Sequence, residues 1–347
     1  MSDATAVNMA ATPREMPEGL RKVLWASVAL ATLLVFNALV NPTFFQITVV
    51  EGHLAGSLID VVERAVPVLL VALGMTLVIA TGGVDLSVGA VMAMAGSLAA
   101  VATTQWGLPL EVAIPLTLLV SVVAGAWNGS LVAIAGIQPI VATLILMVAG
   151  RGIAQLLTDG QILSVKEIDG FAFLGGGYFM GLPVAISIAV IMAVVTFALC
   201  RGTALGMFVA SVGSNEVASR NSGLNVKLIR ILVYAFAGLC AGLAGLIYTS
   251  DITAADANNA GLYLELDAIL AVVIGGTALT GGRFFLAGSI VGALIIQTLT
   301  TTILMTKIGD HDIPAEFNLV VKALVVLVVC LIQADAVRAM FAGRTVE

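Results

Sequence analysis

Long apolar runs dominate this sequence and restrict what the chain can fold into more than any other feature. The first run, residues 23–40, would form a helix of about 27 Å, close to the roughly 30 Å hydrocarbon core of a bilayer. Nine more follow, at residues 59–80, 86–103, 112–135, 137–157, 182–200, 229–249, 268–279, 284–305 and 317–332. Only 10% of the residues are charged, against about 25% in ordinary soluble proteins. We therefore predict an all-α polytopic membrane protein with about ten transmembrane helices.

The basic residues predict the orientation of these helices. Residues 201–230, here called the coupling loop, contain Arg201, Arg220, Lys227 and Arg230, and Lys and Arg near membrane spans mark the cytoplasmic side. Six runs precede this loop, which places the N-terminus on the same side, and four more return the C-terminus there. The prediction is a cytoplasmic tail at 1–19, a transmembrane domain at 20–335 and a second cytoplasmic tail at 336–347.

A short capped helix is predicted inside the coupling loop. Ser214 or Asn215 can cap its N-terminus, Glu216 suits the positive end of the helix dipole, and Gly223 suits the left-handed residue after the last turn. Isolated helices shorter than about 12 residues are not stable in water. Either this helix packs on the ends of its own membrane helices, or it docks into a cytoplasmic partner.

Glycines interrupt two apolar segments, one in each half of the chain. They are Thr81-Gly82-Gly83-Val84-Asp85 and the stretch from Gly275 to Gly282. Broken helices at corresponding places in two halves point to a transport pathway, because their free backbone groups need protein or water as partners. The alternative is that the glycines only allow close helix packing.

Polar residues beside these segments are candidates for contact with a solute. Asp85 and Ser87 could meet a solute or could cap the following helix. Asn128 and Gln138, which bracket a short predicted cytoplasmic turn, are weaker candidates. Among the interior cations, Arg151 is expected to reach the membrane surface or to pair with Asp159, and Lys322 is expected to reach the membrane surface.

The most polar segment predicted to lie outside the membrane is residues 256–267. Its carboxamides, its carboxylates and the ring of Tyr263 are the groups that a polyhydroxylated solute requires. The same side chains could equally cap helices at the membrane surface. The candidates here are Asp256, Asn258, Asn259 and Asp267.

Motifs for chemistry are missing from the sequence. No lysine follows a glycine, so a G-x-x-x-x-G-K-[ST] phosphate-binding loop is excluded and ATP cannot be hydrolysed by that route. The three cysteines are too widely spaced for a metal site or a disulfide framework. We expect no catalytic site, no metal and no cofactor in this chain, which suggests a subunit driven by another chain.

Several motifs resemble those of a known family. Thr81-Gly82-Gly83-Val84-Asp85-Leu86-Ser87-Val88-Gly89, with Gly275-Gly276-Thr277, resembles the permease subunits of bacterial carbohydrate ABC importers of the ribose type. Within that family, residues 138–144 and 256–261 are most similar to permeases of the galactofuranose type. The resemblance implies an inner-membrane protein with a second permease, identical or paralogous, two cytoplasmic ATPases and a periplasmic sugar-binding protein.

The resemblance also implies a role for the short helix. It would be the coupling helix, seated in a groove of an ATPase subunit. The residues expected to serve this coupling are Gly213, Asn215, Glu216, Arg220 and Gly223.

One other class of transporter is compatible with the sequence. A proton-coupled secondary sugar transporter would need no ATPase and could use Asp85 or Asp267 as its proton carrier. Uptake driven by a proton gradient alone would distinguish it from an ATP-driven importer.

Overall fold

A computed structural model describes residues 18–50 and 52–305, and beyond these only residues 307–308, 311–312, 317, 319–324 and 327. The predicted tail 336–347 and nearly all of the tail 1–19 lie outside the described residues. The described helices are α1 (Glu18–Val40), α2 (Ser57–Ala80), α3 (Val88–Thr104), α4 (Leu110–Ala133), α5 (Pro139–Leu157), α6 (Phe173–Gly176), α7 (Val184–Gly202), α8 (Leu205–Ser214), α9 (Glu216–Asn221), α10 (Val226–Asp251), α11 (Leu264–Ile274) and α12 (Leu286–Met305).

Short strands in the connections form four antiparallel pairs among the described residues. The pairs are β1 (Thr48–Val50) with β2 (His53–Ala55), β3 (Leu163–Ser164) with β6 (Ala254–Ala255), β4 (Tyr178–Phe179) with β5 (Leu182–Pro183), and β7 (Lys307–Ile308) with β8 (His311–Asp312). The rest of the fold is a helical bundle.

The prediction of a polytopic membrane protein built mostly of helices is confirmed, and the count of about ten transmembrane helices stays a prediction. Within the described residues, seven helices are long and apolar enough to cross a membrane, namely α1, α2, α4, α5, α7, α10 and α12. The predicted run 86–103 forms α3, a helix of 17 residues. The run 317–332 is only partly described, so its crossing stays a prediction.

One predicted apolar run, residues 268–279, does not form a continuous helix. Instead of a span over 268–279, the chain forms α11, which has 11 residues and a length of about 16 Å. That length covers about half of the hydrocarbon core. A crossing at this place would need non-helical chain for its other half.

The bundle is built around α3, whose residues 88–103 are all buried. It packs against α10, α5 and α4. Small residues allow the close approach: Gly245 of α10 lies against the backbone of Met92, and Gly96 lies against Thr249. The second contact lies four residues further along the chain than the first on both helices, so α3 and α10 run parallel. Close packing through small residues is the usual way that helices associate in a bilayer.

Residues 256–263, here called the descending segment, lead from β6 to α11. The residue before the segment, Ala255, clusters with Ala99 and Ala100 of α3. The segment ends near Gly261, whose backbone lies against Gly89 of α3. The chain therefore travels back along about ten residues of α3, which is about 15 Å.

The burial of the descending segment was not indicated by the sequence. Residues 256–267 were expected to connect two spans outside the membrane, and that placement stays a prediction, but Ala257, Ala260 and Gly261 are buried among the helices. Non-helical backbone is tolerated at such depth only where protein or water satisfies its polar groups. The sequence pattern could not indicate this because the partners lie on α3 and α5, more than a hundred residues earlier.

Candidate functional site

The predicted capped helix in the coupling loop is present as α9. Of the two possible capping residues, Asn215 performs the role: its Oδ1 accepts a hydrogen bond from the Ala218 amide at 2.9 Å. Gly223 follows the helix with φ of +86°, a left-handed conformation that glycine adopts without strain. The helix thus begins and ends where the sequence indicates.

The charged side chains of α9 are held in a small network. Glu216 accepts hydrogen bonds from Arg220 at 3.0 Å and from Arg230 of α10 at 2.8 Å. The pair with Arg230 fastens the short helix to the start of a membrane-length helix. Val217, by contrast, is 68% exposed, so α9 presents an apolar side chain at its surface.

Glycines from three parts of the chain meet directly beside α9, in what we call the glycine junction (Gly82, Gly213, Gly281 and Gly282). The Gly282 amide donates to the carbonyl of Ala80 at 2.9 Å. A Cβ on Gly213 would collide with that same carbonyl and with the Gly282 nitrogen. A Cβ on Gly281, whose φ is +86°, would lie 2.9 Å from the Gly82 nitrogen.

The junction brings together the two glycine-interrupted segments. Gly82 lies two residues after the end of α2, in the first interrupted segment. Gly281 and Gly282 lie in the turn that follows α11, in the second. Gly213, on α8, is two residues before the cap of α9. The chain that leads into α9 is therefore in direct backbone contact with both interrupted segments.

Three of the predicted pathway residues form a buried polar cluster above the junction. Asp85 Oδ1 accepts from the Ser87 amide at 2.9 Å and from the Ser87 hydroxyl at 2.6 Å. Asn128 donates to Ser87 Oγ at 2.8 Å. Each of the three is at most 1% exposed, so the cluster is closed to solutes in this conformation. Gln138 lies apart, exposed at the start of α5.

The remaining predicted residues are largely bonded to other protein groups. Asp256 accepts from the amides of Asn258 and Asn259 and from the Asn259 side chain at 2.8 Å. Asn258 accepts from Gln155 at 2.7 Å.

Two interior cations have partners that differ from those expected. Lys322, expected to reach the membrane surface, forms an ion pair with Asp267 at 2.7 Å. Arg151, expected to reach the surface or pair with Asp159, donates to the carbonyls of Ala257 at 3.0 Å and Ala260 at 2.6 Å. Arg151 thus satisfies backbone groups of the descending segment, a role that depends on tertiary structure alone.

A cavity of about 540 Å³ lies between α3, α5 and the start of α11. Arg151 and Gln155 of α5 line it on one side, and Tyr263 and Glu265 line it on the other. The ring of Tyr263 was named from the sequence as a group for a solute, whereas Arg151, Gln155 and Glu265 were not among the pathway candidates. The signal that could have found Arg151 and Glu265 is that ionisable residues inside a membrane are rare and usually functional.

The arrangement of His, Cys, Asp and Glu side chains shows whether the described residues could bind a metal ion. No group of three or more His, Cys, Asp or Glu side chains within this part of the chain is placed to hold a metal ion. The polar positions are instead hydrogen-bonding groups set among apolar helices. Together with the capped helix and the interrupted segments, they define a membrane transport subunit.

Comparison with known proteins specifies this class. Residues 57–330 match the family model described as the permease component of branched-chain amino acid transport systems, and the chain belongs to that family. It is similar to the galactofuranose transporter permease of Escherichia coli K12, with 50% identity over 95% of this chain and 97% of the relative.

Two other relatives are also sugar permeases. The fructose import permease of Bifidobacterium longum is 41% identical over 92% of this chain and 89% of its own length. The ribose import permease of Escherichia coli K12 is 34% identical over 88% of this chain and 91% of its own length.

Family membership carries several consequences. The chain is a multi-pass protein of the bacterial cytoplasmic membrane and a non-catalytic permease component of an ABC transporter. Such permeases have no cofactor of their own, because separate ATPase subunits handle ATP. An ABC importer permease also implies a solute-binding protein as a partner.

Proposed function

We propose that this chain is the membrane-spanning subunit of an ATP-driven importer of monosaccharides, with galactofuranose as its expected sugar. The similarity to a galactofuranose permease over nearly the full length of both chains supports this assignment. The complete importer would contain a second permease, identical or paralogous, two cytoplasmic ATPases and a periplasmic sugar-binding protein.

The proposed orientation follows from the coupling loop. Arg201, Arg220, Lys227 and Arg230 place residues 201–230 in the cytoplasm by the positive-inside rule. The glycine junction then lies at the cytoplasmic end of the bundle, and both chain termini lie on the same side. The crossing made by the descending segment and α11 keeps the proposed count at ten.

The observation that carries the mechanism is the contact of Gly213 with Ala80 and Gly282. These two backbone contacts of one residue join the entry to α9 with the end of α2 and with the turn after α11. If an ATPase groove holds Val217 and Arg220 and shifts when ATP binds, α9 moves both interrupted segments together. In this mechanism Gly213, Asn215, Glu216, Arg220 and Gly223 serve coupling, as the sequence predicts.

Such a mechanism requires that the two states differ in their contacts. A ligand or partner shifts a conformational equilibrium only by its differential affinity for the two states. The cluster of Asp85, Ser87 and Asn128 is closed here, and we propose that it opens towards the sugar when the junction moves. Pathway roles for Gln138, Asp256, Asn258, Asn259 and Asp267 remain predictions.

Reconstitution of the whole importer tests the proposal. Proteoliposomes containing both permeases and the ATPases would be given binding protein, ATP and a radiolabelled sugar in separate assays: galactose, whose equilibrium mixture in water includes galactofuranose, or fructose, or ribose. Uptake is expected to require ATP and binding protein, and to be lost when the phosphate-binding lysine of the ATPase is replaced by alanine.

A proton-coupled transporter gives the opposite result. Uptake driven by a proton gradient, in liposomes that lack the ATPase, would overturn the ATP-driven mechanism. Failure of ATP-driven uptake for all three sugars would overturn the assignment of a sugar as the substrate.

A further inference from the structure

We infer that the cavity lined by Arg151, Gln155, Tyr263 and Glu265 holds the sugar ring halfway through the membrane. This inference rests on the proposed sugar-importer function and adds the residues that contact the substrate. The cavity of about 540 Å³ falls within the roughly 300–1,000 Å³ range of small-molecule sites.

The depth of the cavity follows from helix register. Gly89 of α3 lies beside the cavity, against Gly261 and the Glu265 carboxylate. Three residues further along α3, Met92 contacts Gly245 of α10. Gly89 is therefore level with about residue 242, which is about 18 Å along α10 from Arg230. This distance places the cavity near the middle of a hydrocarbon core of about 30 Å.

The polar residues of the cavity suit a polyhydroxylated ligand. Glu265 can only accept hydrogen bonds when ionised, whereas Arg151 can only donate them. Within the described residues, Glu265 has no ion pair, and Arg151 uses one nitrogen, Nη1, for the two carbonyls of the descending segment. An adjacent pair of sugar hydroxyls could therefore meet a strong donor and a strong acceptor across the cavity.

Tyr263 contributes an aromatic ring from a strained position. Its φ is +63°, in the left-handed region that bulky residues rarely occupy. Such strain concentrates at ligand sites, where the surrounding structure maintains it. The ring is 46% exposed and offers the apolar surface on which a sugar face can lie. α11 starts at the next residue, so the positive end of a half-helix also points into mid-membrane.

The experiment compares sugar import with ATP hydrolysis in the reconstituted importer. Glu265→Gln is expected to lower the number of sugar molecules imported per ATP by about tenfold, because a charged hydrogen-bond acceptor is lost. ATP hydrolysis should stay within about twofold of the wild-type rate. Glu111→Gln is the matched control, since Glu111 is an exposed residue in the first turn of α4; it should change neither quantity.

Two variants of Tyr263 separate the ring from the backbone conformation. Tyr263→Asn removes the ring but tolerates the left-handed conformation, so the chain should still fold and import should fall. Tyr263→Phe keeps the ring and should retain at least about half of the import.

The outcomes distinguish this inference from the proposed function. If wild-type protein imports a sugar with ATP while Glu265→Gln and Tyr263→Asn do so equally well, the site is wrong and the function stands. Equal loss of ATP hydrolysis and import in both variants would indicate a structural role and would also overturn the site. Failure of wild-type protein to import any of the three sugars would overturn the function as well.

Discussion

Gly213 of α8 packs directly against the main-chain carbonyl of Ala80, the last residue of α2. The same carbonyl accepts a hydrogen bond from the Gly282 amide at 2.9 Å. Two main-chain segments from distant parts of the sequence therefore meet at one oxygen atom. There is no room for a side chain at Gly213.

The first prediction concerns Gly213→Ala. The added methyl group collides with backbone atoms that cannot move independently, and overpacking of this kind costs about 1–3 kcal/mol. We expect a lower midpoint of thermal unfolding in detergent and weaker coupling of ATP hydrolysis to import.

Gly202→Ala is the matched control for the junction. Gly202 ends α7, and a Cβ there would meet nothing within 4 Å. This variant should unfold at or above the wild-type midpoint. If both variants unfold at the same temperature, the junction is not tightly packed.

The second prediction concerns docking of α9 into the ATPase. Val217 is an exposed apolar residue on a short charged helix, so Val217→Asp should introduce a charge into the interface and reduce the amount of ATPase that copurifies. Val217→Leu keeps the apolar contact and should copurify normally. Equal recovery of ATPase with both variants would place the docking surface elsewhere.

Glu216 is a poorer choice for that experiment. Its carboxylate binds both Arg220 and Arg230, so a basic replacement would set three cations together within the permease itself. Loss of docking would then reflect a damaged helix as much as a lost contact.

The third prediction compares two serines at the same depth of burial. Ser87→Ala removes a donor to Asp85 and the acceptor of Asn128, and each buried group left unpaired costs about 1–3 kcal/mol. We expect a clear fall in unfolding midpoint, measured by thermal denaturation in detergent.

Ser97→Ala, within the helix α3 that Ser87 precedes, is the control. Ser97 is also 1% exposed, but its hydroxyl has no hydrogen-bond partner among the described residues. Its removal should leave stability unchanged or increased. A loss of stability equal to that of Ser87→Ala would show that volume, not hydrogen bonding, determines the effect.

The fourth prediction concerns the ion pair of Asp267 and Lys322. Their side chains are 17% and 12% exposed, and breaking a buried pair by removing one partner typically costs about 3–5 kcal/mol. Asp267→Leu and Lys322→Met should each lower the yield of folded protein. The double variant should recover much of the loss, as measured by size-exclusion chromatography. If the losses of folded protein in the two single variants add up in the double variant, the ion pair does not couple α11 to the segment that contains Lys322.

The sequence predicted local features of this chain well. The caps at Asn215 and Gly223 depend on neighbouring residues alone, and the structure places both within a residue or two of the expected positions. Apolar run length likewise predicted the long helices, because a membrane span must satisfy its backbone within itself.

Features that depend on distant partners were missed. Arg151 binds carbonyls 106 and 109 residues further along the chain, which no local pattern indicates. The descending segment is polar and was therefore expected outside the bundle. Its burial depends on the contact of Gly261 with Gly89, and the cavity that it forms with α5 was not predictable for the same reason.

The enclosure of α3 also has a consequence for biosynthesis. Three of the helices that surround it, α4, α5 and α10, are translated after it, so α3 enters the bilayer before its neighbours exist. Until α10 emerges from the ribosome, the glycine and alanine surface of α3 contacts lipid or the insertion machinery. Assembly of the bundle is consequently a late event, and nascent chains that end before α10 should be substrates for membrane proteases.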